Sequence, residues 1–418
     1  MSTRTAHFNH HQRVHLLLGA VELFAAVIAA VDASVKEVRL ETYIFHFDAQ
    51  GDRVAQALVR AAERGVLVYL VVDGIGTPPL PAEWVQRFDA AGVQWHRFLP
   101  LGYLGLFRPG RWRRLHRKLC VVDDTVAFCG GINVIDDWID PHYGALSSPR
   151  FDFAVQVHGA LALEVKQAME QFWARLELSR HVKSLRSPQA RRLLREAVPQ
   201  VVPPHAVPQP HAHTHTHTYT YSHAPGDSVW AALVLRDNLL HRSRIEQVYR
   251  KAIADARHEV WIASAYFVPG RKLRHALVHA AQRGVRVRVL LQGRYEYFMQ
   301  YHGARTVYDE LMQAGVEIYE YTGGFLHAKV AVVDQRWATV GSSNLDPLSL
   351  LLAREANVVV RDVPFAKLLR ERLLEAVQQH STRVDPEMYG HRSHWQRGMD
   401  MVALGVMRLV LFLIGRRY

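Results

Sequence analysis

Two stretches of the chain carry the same chemically capable side chains at the same spacing. HRKLCVVDDTVAFCGGIN supplies His116, Lys118, Asp123, Gly130 and Asn133, and HAKVAVVDQRWATVGSSN supplies His327, Lys329, Asp334, Gly341 and Asn344. Both follow the frame H-x-K-x4-D and then G-[GS]-x-N. Alternation along a strand puts the His and the Lys, two residues apart, on one face. The apolar runs Leu119–Val122 and Val330–Val333 read as buried strands, followed by turns and returning strands that end just before Asn133 and Asn344. Each copy thus offers an imidazole, an ammonium and a carboxamide near one spot. That set suits an anionic tetrahedral oxygen ligand, phosphate above all. One H-x-K alone would read as an incidental core hairpin. Two copies agreeing at five spaced positions call for a shared chemical purpose.

The elements that must position the two copies repeat as well. In the first half the pattern predicts a helix over 16–33, a strand Val38–Phe45, a helix Arg53–Gly65, an apolar strand over 66–74, a helix Pro81–Gly92 and a strand Val93–Phe98. The second half repeats it: helix Arg244–Arg257, strand Glu259–Phe267, helix Arg271–Gly284, strand Val285–Gln292, helix Val307–Gly315, strand Val316–Tyr321. AAERGV at 61–66 matches AAQRGV at 280–285. The continuous apolar strands suit a parallel sheet covered on both faces, built by duplication of an α/β unit with right-handed crossovers. A further strand follows each motif, Phe151–Val157 and Arg354–Val360, each with one acid, Asp152 and Glu355. Helices Ala160–Leu176 and Phe365–Gln378 close the halves. Residues up to about 15, polar and His-rich, read as a loose lead-in.

The paired motifs resemble the phospholipase D superfamily, whose HKD motif occurs twice per active site. LETYIF, AAERGV, LVVDG, HRK and GGIN in the first half, and AYF, AAQRGV and TVGSSNLDPLSL in the second, are similar to bacterial cardiolipin synthases, best to the B type. The resemblance implies an α/β fold of two duplicated α/β/α sandwich halves packed around one shared active site. It implies a phosphatidyltransferase that moves a phosphatidyl group from phosphatidylglycerol, or a related phospholipid, to the primary hydroxyl of a second phosphatidylglycerol. One histidine attacks phosphorus to give a phosphohistidine, and the other protonates the departing glycerol and then deprotonates the acceptor. By resemblance His116 is the nucleophile and His327 the acid, although sequence symmetry does not distinguish them. Lys118, Lys329, Asn133, Ser342 and Asn344 would hold the phosphate oxygens. Asp152 and Glu355 would orient the histidines. Asp123 and Asp334 complete the motif but begin turns, which favours a structural role. Two ammonium groups can supply the charge that a metal ion supplies elsewhere, so neither metal nor cofactor is expected. A hydrolase, or a nucleic-acid phosphodiesterase on the same scaffold, is the alternative.

Composition agrees with an anionic partner without choosing one: the 418 residues carry a net charge of +12. Between Val93 and His116 the first half is longer than Val316–His327, and the extra loop interleaves Tyr103, Leu104, Leu106, Phe107 and Trp112 with Arg108, Arg111, Arg113 and Arg114. It suits an anionic bilayer surface; nucleic acid or plain solvent are the other readings. Residues 198–227, Pro-rich with a His-x-His-x-His run, are a linker that cannot bury enough to fold. The tail from Trp395 has an apolar run broken by Arg408, too short and charged for a span. It reads as an interfacial helix or as one docked on the protein's own core. Leu16–Val31, broken by Glu22, reads as a core helix in preference to a signal peptide. Cys120 and Cys129 would face each other if Asp124–Thr125 formed a two-residue turn; with nothing indicating export, reduced thiols are expected. The expected organisation is a first domain 1–197, the linker 198–227, a second domain 228–390 and a membrane-associating tail 391–418. The expected partners are phospholipid substrates and an anionic membrane surface, with no nucleic acid. The expected location is the cytoplasmic side of the inner membrane, peripherally bound.

Overall fold

A computed structural model describes residues 7–102, 111–141, 143–184, 228–237, 243–346 and 353–413. The 198–227 linker and Tyr103–Gly110 of the arginine-rich loop lie outside the described residues. Among those described, one sheet of 16 strands runs through both halves. From the centre outward the first half contributes Asn9–Leu18, Phe153–His158, Val126–Gly130, Lys118–Val122, Glu37–Thr42, Leu67–Asp73 and Gln94–Phe98. The second half contributes Val229–Arg236, Ala353–Arg361, Trp337–Gly341, Lys329–Val333, Glu259–Ser264, Arg286–Gln292 and Glu317–Tyr321 in the equivalent order, with Ser381–Arg383 at its outer edge. Strands Glu37–Thr42, Leu67–Asp73 and Gln94–Phe98 of the first half, and Glu259–Ser264, Arg286–Gln292 and Glu317–Tyr321 of the second, run parallel, as continuous apolar runs suggest. Each motif forms an antiparallel hairpin next to them.

The seam between the halves corrects the reading of the N-terminus. Asn9–Leu18 is a strand, and the helix predicted from residue 16 runs over Gly19–Asp32. One edge of the strand pairs with Phe153–His158, and the other pairs antiparallel with Val229–Arg236 of the second half. The histidines that made the segment look loose alternate with buried Gln12 and Val14. A strand with one wet face keeps polar residues at every second position, and composition averages over that alternation. Its partner Val229–Arg236 was likewise not assigned from the pattern.

Helices Gly19–Asp32 and Ala49–Glu63, with Trp84 and Phe88, cover the outer face of the first half. Helices Arg244–Asp255, Arg271–Gln282 and Tyr308–Gln313 do so for the second. Helices Ala160–Ser184 and Val363–His380 lie on the other face, where Leu161, Val165 and Met169 join Phe365, Leu369 and Leu373 in a single core shared by both halves. Each half is therefore an α/β/α sandwich whose inner layer belongs to both. At about 1.5–3 kcal/mol per fully buried large apolar side chain, this shared core holds the halves in one relative position.

The cysteine expectation meets a one-residue difference in register. Lys118 pairs with Gly130 and Val122 with Val126, so Cys120 lies opposite Phe128 and Cys129 opposite Leu119. The turn holds Asp123, Asp124 and Thr125, the two aspartates with positive φ. Shifting a strand by one residue flips every side chain. Cys120 and Cys129 accordingly belong to cores on opposite faces of the sheet, as free buried thiols.

The tail helix has one face docked on the protein and one exposed. Helix His394–Leu413 packs one side on helix Phe298–Arg305. Buried Asp400 lies 2.7 Å from His302 Nδ1 and accepts from Arg392 Nη1 at 2.8 Å, and Ala403 and Met407 are buried. The other side leaves Trp395, Met401, Val402, Val406 and Leu409 exposed. No described helix is long and apolar enough to cross a membrane.

Candidate active site

The two motif strands, Lys118–Val122 and Lys329–Val333, lie symmetrically about the seam, and the histidines just before them reach one cavity of about 720 Å³. His116, His327, Asn133, Asn344, Tyr43 and Tyr266 line it, three from each half. His116 N–H donates to the carbonyl of Arg354 in the second half, and His327 N–H to that of Phe151 in the first, so each histidine backbone is held by the opposite half.

The acids are exchanged in the same way. His116 Nδ1 is 3.0 Å from Glu355 Oε1 and 3.2 Å from Oε2, while His327 Nδ1 is 2.6 Å from Asp152 Oδ2. Glu355 and Asp152 are both buried. With Nδ1–H donating to the carboxylate, Nε2 carries the free lone pair. Burial holds both histidines below the usual imidazole pKa, with the neighbouring lysines adding to the effect and the carboxylates opposing it. In the free protein both rings are thereby biased toward the neutral form, which suits a nucleophile and which an acid must leave by taking up a proton. Glu355 stays below the usual carboxylate range although burial opposes this, because His116, Lys118 and the Ser342 hydroxyl favour its anion.

The lysines lie against the histidines that precede them. Lys118 Nζ donates to the His116 carbonyl at 2.8 Å, and Lys329 Nζ donates to the His327 carbonyl and lies 3.6 Å from Asp152 Oδ2. Burial pushes Lys118 down to about 7, with Lys329 adding to the shift and Glu355 and Asp152 opposing it, and pushes Lys329 down to about 8, opposed by Asp152, Glu355 and Glu296. Asp152 and Glu355 counter the two lysines, and a bound phosphodiester anion would favour their ammonium forms further. The Asn344 carboxamide is buried, and its oxygen has no hydrogen-bond partner among the described residues. Asn133 Oδ1 accepts from Ile44 N at 3.2 Å.

Two sequence-predicted residues have other surroundings. Ser342, expected at the phosphate, is fully buried and does not line the cavity. Its hydroxyl donates to Glu355 Oε2 at 2.5 Å and accepts from Ala356 N at 3.1 Å, so it braces the acid that holds His116. Its first-half counterpart is Gly131, where a Cβ would come within 2.4 Å of the Asp152 carboxylate. Asp123 and Asp334, included in the catalytic set, stand at the far ends of the motif strands. Asp123 accepts the backbone N–H groups of Val35, Lys36 and Glu37, and Asp334 those of Arg257, His258 and Glu259. Burial opposes their ionisation, yet these bonds hold both carboxyls below the usual range. Each anchors the chain entering the neighbouring parallel strand, as their position in turns suggested.

Sequence reasoning missed a pair of supports behind the histidines. Fully buried Asp73 accepts from Leu115 N at 2.8 Å and from Arg114 Nη1 at 3.2 Å. Gln292 Oε1 accepts from Leu326 N at 3.3 Å. Each fixes the residue before a site histidine. The available signal was a polar residue ending an otherwise apolar strand just before glycine, LVVDG and VLLQG. Glu296 in the cavity wall was missed as well.

With this geometry in view, the comparisons with known proteins acquire a structural meaning. Residues 27–146 and 249–376 match the family described as cardiolipin synthase, PLD-like domain, one match on each half. The chain is 35% identical over 408 residues to cardiolipin synthase B of Escherichia coli K12, covering 96% of this chain and 89% of that one. It is 30% identical over 372 residues to cardiolipin synthase A of Pseudomonas putida, covering 88% of this chain and 69% of that one. Among solved structures the fold is similar to phosphatidylserine synthase of Haemophilus influenzae Rd KW20, with a TM-score of 0.65, 12% identity, and coverage of 97% and 95%. It is also similar to polyphosphate kinase of Porphyromonas gingivalis, with a TM-score of 0.53, 12% identity, and coverage of 94% and 53%.

Proposed function

The chain belongs to the cardiolipin synthase family of phospholipase D-like phosphatidyltransferases, and from that premise we propose the reaction and the residues that carry it. The substrate is phosphatidylglycerol or a related phospholipid, and the product is cardiolipin. The observation that carries a shared two-histidine site is the crossed pairing of His116 with Glu355 and His327 with Asp152 around one cavity, while the order of the two histidines rests on the family resemblance. His116 Nε2 attacks phosphorus, the P–N bond forms, and the P–O bond to the leaving glycerol breaks. His327, entering the step as the imidazolium that Asp152 and the bound phosphodiester anion favour, gives its Nε2 proton to that glycerol oxygen. The primary hydroxyl of a second phosphatidylglycerol then gives its proton to His327, and its oxygen attacks phosphorus. The new P–O bond replaces P–N and frees His116. Lys118, Lys329, Asn133 and Asn344 stabilise the charge on the non-bridging oxygens. Asp152 and Glu355 stabilise the imidazolium forms and fix the tautomers.

The same reading assigns residues 1–197 and 228–390 to two phospholipase D-like domains joined by the linker 198–227. The tail, 391–418, attaches the protein peripherally to an anionic membrane, on the cytoplasmic side of the inner membrane. What supports the tail's role is the exposed apolar stripe of Met401, Val402, Val406 and Leu409, on a helix packed against Phe298–Arg305. Met299 and Gln300 of that second helix line the cavity. The relatives favour lipid transfer over the hydrolase and nucleic-acid readings. The test is incubation of the detergent-solubilised protein with phosphatidylglycerol and mass spectrometry of the products. Cardiolipin and free glycerol are expected; phosphatidic acid as the sole phospholipid product would mean a hydrolase.

A further inference from the structure

The two sides of the cavity differ at several positions, and one of these differences places an acid on the second-half side. After the second parallel strand of each half the chain turns at Gly74 or Gly293, whose N–H groups donate to the carbonyls of Phe98 and Tyr321. Three residues on stand Thr77 and Glu296. Thr77 is occupied internally: its hydroxyl donates to the Tyr43 carbonyl at 2.9 Å and accepts from Phe45 N at 3.0 Å. It does not line the cavity. Glu296 does, and its Oε2 accepts from the Tyr266 hydroxyl at 3.3 Å.

Among the described residues no basic group forms an ion pair with Glu296. The nearby Arg150 is taken by Asp140 at 2.6 Å and by the carbonyls of Asp136 and Ile139. A carboxyl in a cavity built for a phosphodiester anion repels that anion and gains nothing from the shared core. It has a use only if a neutral, hydrogen-bonding part of the substrate occupies its side of the cavity. An ammonium head group fits less well, because Lys329 and Arg150 both act electrostatically on this carboxyl and would repel it. Burial pushes the Glu296 carboxyl up to about 7, against the Tyr266 hydrogen bond, so near neutrality it can donate to a hydroxyl as well as accept from one.

We propose that Glu296, with Tyr266, forms a head-group subsite on the second-half side of the cavity that recognises the hydroxyls of a glycerol moiety. This rests on the phosphatidyl-transfer reading and adds to it a specificity determinant. A site that hydrogen-bonds a hydroxyl rejects an analogue lacking it far more strongly than an apolar pocket discriminates by size, since its own polar groups are otherwise left unpaired.

The test is a competition within one reaction. The full-length protein in detergent receives a phosphatidyl donor with a p-nitrophenyl leaving group, together with equal concentrations of glycerol and 1-propanol. Mass spectrometry gives the ratio of phosphatidylglycerol to phosphatidylpropanol, in which any loss of overall rate cancels. The wild type is expected to favour glycerol, Glu296→Ala to lower that ratio about tenfold, and Glu296→Gln, which keeps donor and acceptor atoms, to retain most of it. Glu296→Thr, bringing in the residue of the first half, gives the same reading if the alanine variant does not fold. A ratio within about twofold of wild type in the alanine and threonine variants overturns the subsite. A second competition replaces glycerol by ethanolamine. If Glu296→Ala depresses the ethanolamine ratio and leaves the glycerol ratio intact, the carboxylate reads an ammonium and the hydroxyl assignment is overturned. A wild type that transfers to no alcohol at all would instead refute the transferase reading on which the subsite rests.

Discussion

The two half-sites are nearly the same object, and their differences are concentrated in what surrounds each histidine. His116 faces a glutamate braced by a serine hydroxyl, and its ring packs 4.8 Å from Tyr43. His327 faces an aspartate whose neighbour Gly131 leaves no room for a side chain, and Lys329 Nζ lies 2.7 Å from its Nδ1. The longer acid stands beside the serine and the shorter beside the glycine, so each pair fills its space differently while presenting a ring to the same cavity. A reaction whose two alcohols are bound in turn needs equivalent phosphate contacts from both halves but unequal proton chemistry. Each half supplies one Lys and one Asn at the same spacing, while the surroundings of the two histidines are unequal.

The largest expected effect comes from splitting the histidine roles. His116→Ala should abolish phosphoenzyme formation with any donor. His327→Ala should be reduced on the order of 10²-fold or more with a lipid donor yet still be labelled at His116 by a p-nitrophenyl phosphodiester, whose leaving group needs no proton. Label on His327 in the His116→Ala protein would reverse the assignment.

The crossing of the acids sharpens the comparison further. Glu355→Gln should behave as a weak version of the His116 variant, and Asp152→Asn as a weak version of the His327 variant, each losing on the order of 10²-fold in kcat/KM. The p-nitrophenyl donor should rescue Asp152→Asn and leave Glu355→Gln impaired. Rescue in the opposite pattern would mean that each acid serves the histidine of its own half.

The lysines predict a pH dependence. Burial has lowered Lys118 to about 7 and Lys329 to about 8, so in the free protein both lose their protons as pH rises through that interval. Their hold on the phosphate weakens with them, and kcat/KM should fall on that alkaline limb, which reports the free enzyme. Lys329→Arg keeps its charge across this range and should remove the step near 8 while leaving the Lys118 step near 7, at a cost in maximal rate of roughly tenfold because the planar fork does not reproduce a point charge. An unchanged limb in this variant would remove Lys329 from the titration.

Membrane contact tests a difference between the two faces of the tail helix. Val402→Glu with Leu409→Glu should reduce sedimentation with anionic vesicles about tenfold while leaving detergent-micelle activity within about twofold, since both side chains are exposed. Equal loss in micelles would show that this face serves the protein's own structure.

The smallest expected effect on chemistry comes from the motif aspartates. Asp123→Ala and Asp334→Ala each remove an acceptor for three backbone N–H groups and should cost about 2–4 kcal/mol in chemical unfolding, nearly equally in the two halves. The kcat of whatever protein remains folded should change little. A loss on the scale of the histidine variants would return these acids to the reaction.

Much of this was legible in the chain itself, because it depends on local spacing. H-x-K on a strand fixes which side chains share a face, the repeated α/β pattern implies two equivalent sandwiches, and Asp152 and Glu355 recur at one place in both repeats. The acid of each repeat could be located but not paired with its histidine, since pairing is a contact between residues 175 and 239 positions apart in sequence. The strand Asn9–Leu18 was hidden by its wet face, and Ser342 was drawn toward the phosphate because spacing does not say which way a hydroxyl turns. The cysteines show the limit most simply: a turn of three residues in place of two sent them to opposite sides of the sheet. The sequence by itself determined the chemical groups and their duplication. Only the tertiary structure decided that the halves exchange their acids across the seam, because a strand's pattern encodes its own two faces and not the identity of the partner brought against them.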